Sequence, residues 1–481
     1  MIPGELILFG LLLLLMLLNV LKTTRGIIAS VGVIGLILAA TGPIKHLAMG
    51  TSRILFNGMI VLDPLAETFK LLFLLAAAFS VVFAYDSKEI DNRDFVETIL
   101  LMVGSTLGMF FMAGSNDMLM MYLSIEFVAL TSYMLAGFRR GDPKSSEAAL
   151  KYVIYGGAAS GVMLFGLSLL FGLAGSTGFV SISHSLVNNP AQPVVLLALV
   201  MVFAGLGYKI ASVPFHQWCP DVYQGSPTPV TAFFSVAPKA AGFALLLRFL
   251  LTLFKGADFG GLNWTLTYLL GIIAMGTMTY GNLTAMGQRS VKRLLAYSSI
   301  AHAGYVLMGV TTLYAVMSST PDMTGFQAVF FYMTAYLFMN LGAFYVVALL
   351  MDRLGTDDIN AYTGLGQRAP LLASIMTIFL FSLAGIPPTI GFIGKFYLFY
   401  AVIKIPNWFF YLLAFVGVTN SFISLFYYAR ILKHMFLIKS SDTRPLSIGA
   451  LSITVLLLLA VPTLLFGLYF SPIFNLASRM F

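Results

Sequence analysis

Charged residues are scarce in this sequence, and their scarcity is the first constraint on the fold. Asp, Glu, Lys and Arg make up 10% of the 481 residues, whereas hydrophobic residues make up 59%. A soluble globular domain carries about 25% charged residues, because water must solvate its surface. The composition therefore excludes a soluble enzyme and predicts a membrane protein that contacts lipid over most of its area.

Cysteine is almost absent as well, since Cys219 is the only one. A single cysteine excludes a disulfide framework, a zinc cluster and an iron–sulfur site built from this chain alone. The sequence also lacks metal-ligand spacing, a phosphate-binding loop and a nucleophile elbow. We therefore expect no metal, no bound cofactor and no redox centre in the chain itself.

Basic residues outnumber acidic ones by 27 to 19, but they are not concentrated in one region. They are scattered among short loops rather than gathered in a stripe, which argues against a nucleic-acid partner. The N-terminus has no basic segment before its Leu-rich run. We therefore expect residues 2–21 to be a retained transmembrane span rather than a cleaved signal peptide.

Long hydrophobic runs recur from one end of the sequence to the other, and they predict an all-α polytopic membrane protein with about 14 transmembrane helices. Such segments must satisfy their backbone hydrogen bonds internally, and the alternating pattern of a membrane barrel is absent. The predicted spans are 2–21, 26–41, 63–84, 95–113, 117–137, 147–174, 194–218, 228–254, 264–286, 292–317, 326–350, 370–403, 407–434 and 446–470.

The loops between the predicted spans differ in charge, which predicts how the chain crosses the membrane. Loops rich in Lys and Arg face the cytoplasm under the positive-inside rule. Sixteen basic residues on one side against five on the other place both termini on the trans, periplasmic side of a cell inner membrane. The cytoplasmic sixteen are Lys22, Arg25, Lys88, Arg93, Arg139, Arg140, Lys144, Arg289, Lys292, Arg293, Arg353, Arg368, Arg430, Lys433, Lys439 and Arg444, and the opposite five are Lys45, Arg53, Lys255, Lys404 and Arg479.

An internal repeat occurs at an offset of about 174 residues. Tyr-Leu-Ser-Ile at 122–125 corresponds to Tyr-Ser-Ser-Ile at 297–300, and the same offset brings Lys209 near the Ala-Gly-Ile-Pro sequence at 384–387. The seventh and twelfth spans, both interrupted, correspond in this way. Each unit has five spans, so the second starts on the opposite membrane face, as in the inverted repeats of transporters. The predicted parts are N-terminal flanking helices in 1–90, a first five-helix repeat in 91–260, an inverted repeat in 261–436 and a C-terminal helix in 437–481.

Glu126 is the carboxylate that lies deep inside a predicted span. A charged side chain at bilayer depth costs roughly 2.5–3.5 kcal/mol on insertion scales, so idle charges are rare there. The other acidic residues are expected at span ends, within reach of water. We interpret Glu126 as an intramembrane partner of a lysine, because an opposite charge stabilises the ionised forms of both groups. The alternative is an ion pair that only packs helices together.

Three lysines inside predicted spans are candidates for proton transfer. Lys209 precedes Pro214, where the seventh helix must break, and a break frees backbone carbonyls and admits water. Lys239 follows a proline in the eighth span, and Lys395 lies beyond the break of the twelfth. A buried lysine in such surroundings gains and loses a proton far more readily than an exposed one. The alternative is a lysine whose ammonium reaches the membrane surface.

Five further residues carry weaker signals. Lys70 and Lys151 lie only a turn or two inside their helices, where reaching the surface is as good an explanation as function. Arg248 does not deprotonate in proteins and is expected to be structural. His216, in the break of the seventh span, and His302, in the tenth, are candidate proton relays, with a core histidine as the alternative for each.

Three segments resemble the antiporter-like membrane subunits of respiratory complex I. They are VPFHQWCPDVYQGSPTPV at 213–230, QRSVKRLLAYSSIAHAGY at 288–305 and SLAGIPPTIGFIGKF at 382–396. The linker beginning at Asp221, with a lysine at 239, is similar to the N-type subunit (chain 2) of NADH:quinone oxidoreductase. The L-type subunit is expected to continue into a long lateral helix, whereas only 471–481 follow the last span here. Cys219 and Ser226 stand where the family more often has Thr and Ala.

The resemblance implies a function and a set of residues. It implies two inverted five-helix units and a proton route through Glu126, Lys209, Lys239 and Lys395, with NADH, FMN, iron–sulfur clusters and quinone used by other subunits of the complex. The expected partners are the other membrane-arm and peripheral-arm subunits and membrane lipid. The same fold resembles subunits of multisubunit sodium/proton antiporters and of membrane-bound hydrogenases, and these stay open as alternatives.

Overall fold

The structure, a computed structural model, describes residues 3–50, 52–139, 141–188, 193–254, 261–312, 322–440 and 444–480. Within these ranges the chain is helical apart from one short hairpin, and the prediction of an all-α polytopic membrane protein is confirmed. The helices are α1 (Pro3–Val20), α2 (Arg25–Ala39), α3 (Thr41–Met49), α4 (Pro64–Asp86), α5 (Phe95–Gly114), α6 (Met118–Ala136), α7 (Pro143–Ala174), α8 (Phe179–Asn188), α9 (Pro193–Ile210), α10 (Trp218–Gly225), α11 (Thr228–Phe254), α12 (Gly261–Met286), α13 (Val291–Val310), α14 (Thr324–Leu354), α15 (Leu365–Arg368), α16 (Pro370–Ala384), α17 (Ile390–Ile403), α18 (Trp408–Leu432), α19 (Ala450–Leu468) and α20 (Ser471–Ser478), with a 3₁₀ turn at Ile359–Tyr362 and a π turn at Lys433–Leu437.

Eleven of the described helices are long and apolar enough to cross a membrane. The apolar parts of α1, α16 and α17 are shorter than 18 residues, so the count of fourteen spans stays a prediction. Parts of the sequence prediction fall outside the described residues, namely Ile2, Arg140, Lys255 and the end of the tenth span at 313–317.

Three helices form the centre of the molecule. The most apolar stretch of α11 is completely buried, that of α14 is 94% buried, and almost every residue of α13 is buried. Helices at the periphery instead expose large apolar side chains such as Leu17, Phe165 and Phe422. Such exposure would be unfavourable in water and is what a lipid-facing surface requires.

Carboxylates at helix starts act as N-caps. Asp63 accepts a hydrogen bond from the N–H of Ala66, and Asp117 and Asp142 cap α6 and α7 in the same way. An N-cap oxygen pairs with one of the backbone donors that a helix leaves unsatisfied in its first turn. The prediction that carboxylates gather at span ends thus has a local structural cause.

Both predicted helix breaks are present. Helix α9 ends at Ile210, where Ala211 has a φ of 59°, and α16 ends at Ala384, where Gly385 has a φ of 85°. A left-handed residue stops an α-helix by turning the chain away from its axis. The two residues are 174 positions apart, as the repeat predicts.

Several boundaries and short elements differ from the prediction. The seventh span is predicted to run to residue 218, but the helix ends at Ile210 because of the left-handed residue that follows. An antiparallel hairpin of β1 (Arg53–Leu55) and β2 (Ile60–Leu62) pairs Ile54 with Val61 and was not predicted. Helices α3, α8 and α20 were not predicted as separate elements either, because each is too short to give a clear apolar period.

Candidate functional site

Glu126 lies in the middle of α6 and is half-buried. Ser160 on α7 donates a hydrogen bond from its hydroxyl to the Oε1 atom of Glu126. Glu126 is close enough to Lys209, Tyr208 and Tyr133 to act on them electrostatically. The carboxylate therefore faces the part of the molecule that contains Lys209, as the sequence suggested, but it contacts a hydroxyl rather than the lysine.

Lys209 lies in the last turn of α9, directly before the helix break, and is 3% exposed. Its aliphatic stem packs beside Gly242 of α11, where a side chain would contact the lysine. The end of the helix is fixed by its neighbour Tyr208, whose hydroxyl donates to the carbonyl of Tyr152 at 2.9 Å and whose carbonyl accepts from Trp218 Nε1 at 3.0 Å. The break thus holds an ammonium group inside the protein and next to α11.

Lys239 lies in the middle of α11, directly after Pro238, and is 2% exposed. Its Nζ atom donates a hydrogen bond to the hydroxyl of Ser299 on α13. The same atom is 3.9 Å from Cys219 Sγ and 5.4 Å from the centre of the Tyr223 ring. Its neighbours are therefore neutral groups from α10 and α13.

His302 lies between Lys239 and Lys395 on the buried side of α13. Its Nδ1 atom is 2.6 Å from the hydroxyl of Tyr332, and its Nε2 atom is 3.2 Å from that of Tyr428. Both lysines are close enough to His302 to act on it electrostatically. Both ring nitrogens therefore have partners that accept or donate a proton, which is the arrangement a relay needs.

Lys395 lies in the second turn of α17 and is 4% exposed. Its Nζ atom donates to the carbonyls of Leu383 at 3.1 Å and Ala384 at 2.8 Å, and to the hydroxyl of Ser421 at 2.9 Å. The ring of Tyr305 lies 4.8 Å from the same atom. The two carbonyls are the last of α16, so the negative end of that helix stabilises the cation.

A cleft of about 230 Å³ opens beside Lys395. Apart from the lysine and Ser421, its lining is mainly apolar and includes Phe396 and Phe422, which are exposed on the outer surface. The ammonium of Lys395 is therefore separated from the outside by side chains rather than by backbone.

Gly385 is the position where a small change should disturb Lys395 most directly. A Cβ atom there would lie 2.9 Å from the Cδ atom of Lys395, and the φ of 85° costs a non-glycine residue about 1–2 kcal/mol. We expect Gly385→Ala to lower both the stability of the complex and its proton pumping per electron. Gly355→Ala is the control, because Gly355 has a similar φ of 69° and open space around it. Equal pumping in the two variants would contradict the expected displacement of Lys395.

Helix α13 connects the surroundings of Lys239 with those of Lys395. Ser299, His302 and Tyr305 follow one another at intervals of three residues, so they lie along one face of the helix. Ser299 contacts Lys239, and Tyr305 contacts Lys395. Sequence reasoning found His302 but missed the other two, although the spacing of polar residues in an apolar helix is a signal that could have found them.

Carboxylate contacts divide the lysines into two classes. In the part of the chain that the structure describes, Lys209, Lys239 and Lys395 have no carboxylate oxygen within 4.0 Å. Lys70, by contrast, contacts two carboxylates at 2.7 and 2.8 Å, and Lys151 contacts two at 2.6 Å. A close carboxylate strongly favours the protonated form of a lysine, whereas neutral hydroxyls and carbonyls favour it less.

Lys151, a weaker candidate, has carboxylate partners and belongs to a partly exposed charged cluster. Its Nζ atom is 2.6 Å from Glu147 and from Asp221, and Arg293 also contacts Asp221 at 2.6 Å. Burial raises the pKa of Asp221, but hydrogen bonds from Lys151 and Arg293 outweigh burial and keep this pKa below its ordinary value. The cluster therefore joins α7, α10 and α13 through a carboxylate that stays ionised.

His216, the other weaker candidate, lies in the break between α9 and α10 and is 5% exposed. Its ring packs edge-on against Tyr280 at 4.4 Å. Its Nδ1 atom is buried and makes no hydrogen bond to any described residue. The structure thus places it at the break, as predicted, but in contact with α12 rather than with a polar chain.

Two buried ion pairs at Lys70 correct the expectation that every acidic residue other than Glu126 is within reach of water. Glu5 and Glu67 are buried and contact Lys70. Asp63 contacts Arg248 through two hydrogen bonds of 2.6 and 2.9 Å, which supports the structural role expected for that arginine. The Glu5–Lys70 pair could not be read from the sequence, because its partners are 65 residues apart in the chain.

Comparison with known proteins places the chain among membrane subunits of one kind. Residues 115–424 match the family model described as "NADH:quinone oxidoreductase/Mrp antiporter, TM". The NADH-quinone oxidoreductase subunit N 2 of Chloroherpeton thalassium is 44% identical over 488 residues, covering 99% of this chain and 93% of that relative.

Solved structures agree with the sequence matches. A chain of respiratory complex I from Thermus thermophilus has a TM-score of 0.80 and 30% identity, covering 98% of both chains. A chain of the Mrp complex from Dietzia sp. has a TM-score of 0.86 at 21% identity, covering 99% of this chain and 96% of that one. The second likeness concerns the fold alone.

Proposed function

The chain belongs to the N-type antiporter-like subunits of the NADH:quinone oxidoreductase/Mrp antiporter family, and on that basis we propose that it translocates protons within a type I NADH:quinone oxidoreductase. In this proposal, electron transfer from NADH to quinone takes place in other subunits and drives proton movement through this one. NADH, FMN, iron–sulfur clusters and quinone are assigned to those other chains. The chain assembles with membrane-arm and peripheral-arm subunits and is surrounded by lipid.

The observation that carries the proposal is a set of three buried lysines that have no carboxylate contact among the described residues. Two of them, Lys239 and Lys395, are joined through α13. Lys239 contacts Ser299, His302 lies in the field of both Lys239 and Lys395, and Tyr305 lies under Lys395. A burial cost of several kcal/mol per charge makes three such lysines improbable as structural elements. The hydroxyl contacts at Lys239 and Lys395 favour a transfer route.

The proposed route begins at Lys209, next to the break and within the field of Glu126. A proton passes from Lys209 to Lys239 and then by way of His302 to Lys395, which lies at the second break. Adding a positive charge near a protonated lysine favours release from that lysine. Two charges about 8 Å apart interact by roughly 2 kcal/mol at an effective dielectric of about 20, which is enough to bias release. Lys151 and His216 have supporting roles at most, since neither contacts this chain of groups.

We also propose that residues 91–260 and 261–436 form two inverted five-helix repeats. The left-handed residues Ala211 and Gly385, which end α9 and α16, support this because they differ by the repeat offset. Inverted units open their breaks toward opposite membrane faces. Protons would therefore enter from one side near Lys209 and leave on the other near Lys395.

Membrane orientation gives a direct prediction. We propose that the chain lies in the inner membrane with both termini on the trans side, because basic residues such as Arg289 cluster on the opposite face. In a Cys219→Thr background, Arg289→Cys should react with a membrane-impermeant thiol reagent only from the cytoplasmic side. Lys404→Cys, at an exposed position on the other face, should react only from the trans side. Reaction of position 289 from the trans side would overturn both the orientation and the inverted repeat.

Purification of the native complex tests the choice of partner complex. We expect subunits that bind flavin and iron–sulfur clusters to co-purify with this chain. Co-purification with sodium/proton antiporter subunits alone would instead support the antiporter alternative. Co-purification with hydrogenase subunits would support the membrane-bound hydrogenase alternative.

A further inference from the structure

A buried lysine that the proposed route does not use lies at the start of α13. The sequence places Lys292 among the basic residues of a loop, but it is 2% exposed and its Nζ atom donates to the carbonyl of Ser226 at 2.6 Å. Seven residues separate it from Ser299, which is about two turns of helix. Lys292 therefore lies on the same helix as the partner of Lys239, at the end that carries Arg289 and Arg293. We call the surface around Arg139, Arg289 and Arg293 the basic face.

Glu89 is close enough to attract the ammonium of Lys292 electrostatically, without contacting it, and it borders the surface. Its side chain is 6% exposed and accepts hydrogen bonds from the N–H of Thr228 at 2.8 Å and from the hydroxyl of Thr228 at 2.5 Å. Thr228 is the first residue of α11, the helix that carries Lys239. Glu89 also lines a polar cleft of about 530 Å³ that Arg139 and Asp91 border. Through this cleft, water at the basic face can reach the Glu89 carboxylate.

The charges around Lys292 come from several elements. Glu89, Asp357 and Asp142 attract its ammonium, and Arg139 repels it. Among the described residues, none of these carboxylates is within 4.0 Å of Lys292. Lys292 thus belongs with the path lysines, whose ammonium contacts are neutral, rather than with Lys70 or Lys151.

Helix α10 and its C-cap residue lie between Lys292 and Lys239. Cys219 and Tyr223 are four residues apart on α10 and share a face, and Ser226 is the extended residue directly after the helix. Cys219 and Tyr223 lie beside Lys239, and Ser226 lies beside Lys292.

Two hydroxyls beside these lysines are buried and poorly paired. Ser226 Oγ makes no hydrogen bond to any residue that the structure describes, and the hydroxyl of Tyr223 lies near Ser299 and Cys219 without a hydrogen bond of ordinary geometry. Buried polar groups are almost always paired, so two such hydroxyls between two buried lysines need a reason. A hydroxyl both donates and accepts, and is therefore suited to pass a proton on.

We propose that Glu89, Lys292, Ser226 and Tyr223 form a second entrance through which protons from the basic face reach Lys239 without passing Lys209. The inference rests on the proposed function. Water in the cleft gives a proton to the Glu89 carboxylate, which passes it to neutral Lys292, and the Ser226 and Tyr223 hydroxyls carry it to Lys239. Each group releases one proton for each that it accepts. Lys239 then becomes the point where two inputs meet.

The opposing interpretation is that Lys292 only stabilises the C-terminal end of α10. Two substitutions distinguish this structural role from proton transfer. Lys292→Arg keeps the positive charge and a donor for the Ser226 carbonyl, but a guanidinium does not deprotonate. Glu89→Gln keeps an acceptor for the Thr228 N–H but removes the carboxylate. Asp91→Asn is the matched control, because it removes an exposed carboxylate from the rim of the same cleft.

The measurement is proton pumping per electron by the intact complex in reconstituted vesicles, with NADH oxidation recorded in parallel. We expect the ratio to fall at least about twofold in Lys292→Arg and Glu89→Gln, because each removes a group that carries the proton, and to stay unchanged in Asp91→Asn. Parental ratios in Lys292→Arg and Glu89→Gln, with a lowered ratio in Lys395→Arg, would overturn the entrance and leave the proposed function standing. A parental ratio in Lys395→Arg would overturn both. If the complex that carries Lys292→Arg does not assemble, the pumping ratio of Glu89→Gln alone tests the entrance.

Discussion

Lys395→Arg is expected to abolish proton release through this subunit while the complex still assembles. Arginine keeps the positive charge that the final carbonyls of α16 bind, and the cleft beside Lys395 has room for the larger head group. A guanidinium has a pKa above about 12 and does not give up its proton in a protein, so transfer stops at this position. The effect should be measured as the loss of acidification in vesicles during NADH oxidation.

The control for this substitution lies on the same helix. Lys404, which caps the end of α17, is exposed and contacts Asp322 at 2.6 Å. Lys404→Arg keeps an exposed ion pair and should pump like the parent. If Lys395→Arg also acidifies vesicles at the parental rate, Lys395 does not release protons and the exit lies elsewhere.

Glu126→Gln is expected to depress pumping strongly without loss of assembly. The amide oxygen of glutamine can still accept the hydrogen bond from Ser160, so the packing of α6 against α7 is kept. The negative charge that favours protonated Lys209 is lost. For charges about 8 Å apart at an effective dielectric of about 20, the loss of roughly 2 kcal/mol changes the proton occupancy of the lysine by roughly 30-fold.

A glutamate on the neighbouring helix provides the comparison. Glu147 lies on α7, is exposed and contacts Lys151 outside the buried route. Glu147→Gln makes the same chemical change and should leave pumping per electron unaltered. Full pumping in Glu126→Gln, measured beside this control, would show that Lys209 loads without a carboxylate in its field.

Much of the fold could be predicted from hydrophobic runs and punctuating residues. Both breaks were predicted, because Pro214 and the Gly-Ile-Pro-Pro sequence after Ala384 cannot continue a helix. The end of α9 at Ile210 could not, because Ala211 adopts a left-handed conformation that nothing in its own sequence requires. The hairpin at residues 53–62 was missed for a related reason, since three-residue strands are too short to show alternation.

The candidate site was predicted as a set of residues rather than as a set of contacts. The free-energy cost of burying a charge identified Glu126, Lys209, Lys239 and Lys395, because an ionisable group inside an apolar helix is rarely kept without a function. Such arguments do not say which groups face each other. They overlooked Lys292, because its position at the edge of a predicted span suggests exposure rather than burial.

The uncharged residues that contact the lysines were also missed. Ser299 and Tyr305 cost little free energy to bury, so their presence in an apolar helix does not suggest a function. Their importance follows only from the packing of α13 against α11 and α17, which brings them to the two lysines. Carboxylate pairing is likewise a property of packing, since Glu5 and Lys70 meet from helices 65 residues apart.

The central claim is that buried lysines without a carboxylate contact carry protons, whereas paired lysines hold the structure together. The most direct measurement is the number of protons pumped per electron by the reconstituted complex, with Lys209, Lys239, Lys395 and Lys404 each replaced by arginine in turn. We predict a lowered ratio for the first three, with electron transfer still measurable, and a parental ratio for Lys404→Arg. Parental ratios for both Lys209→Arg and Lys395→Arg would contradict the claim and make these lysines structural.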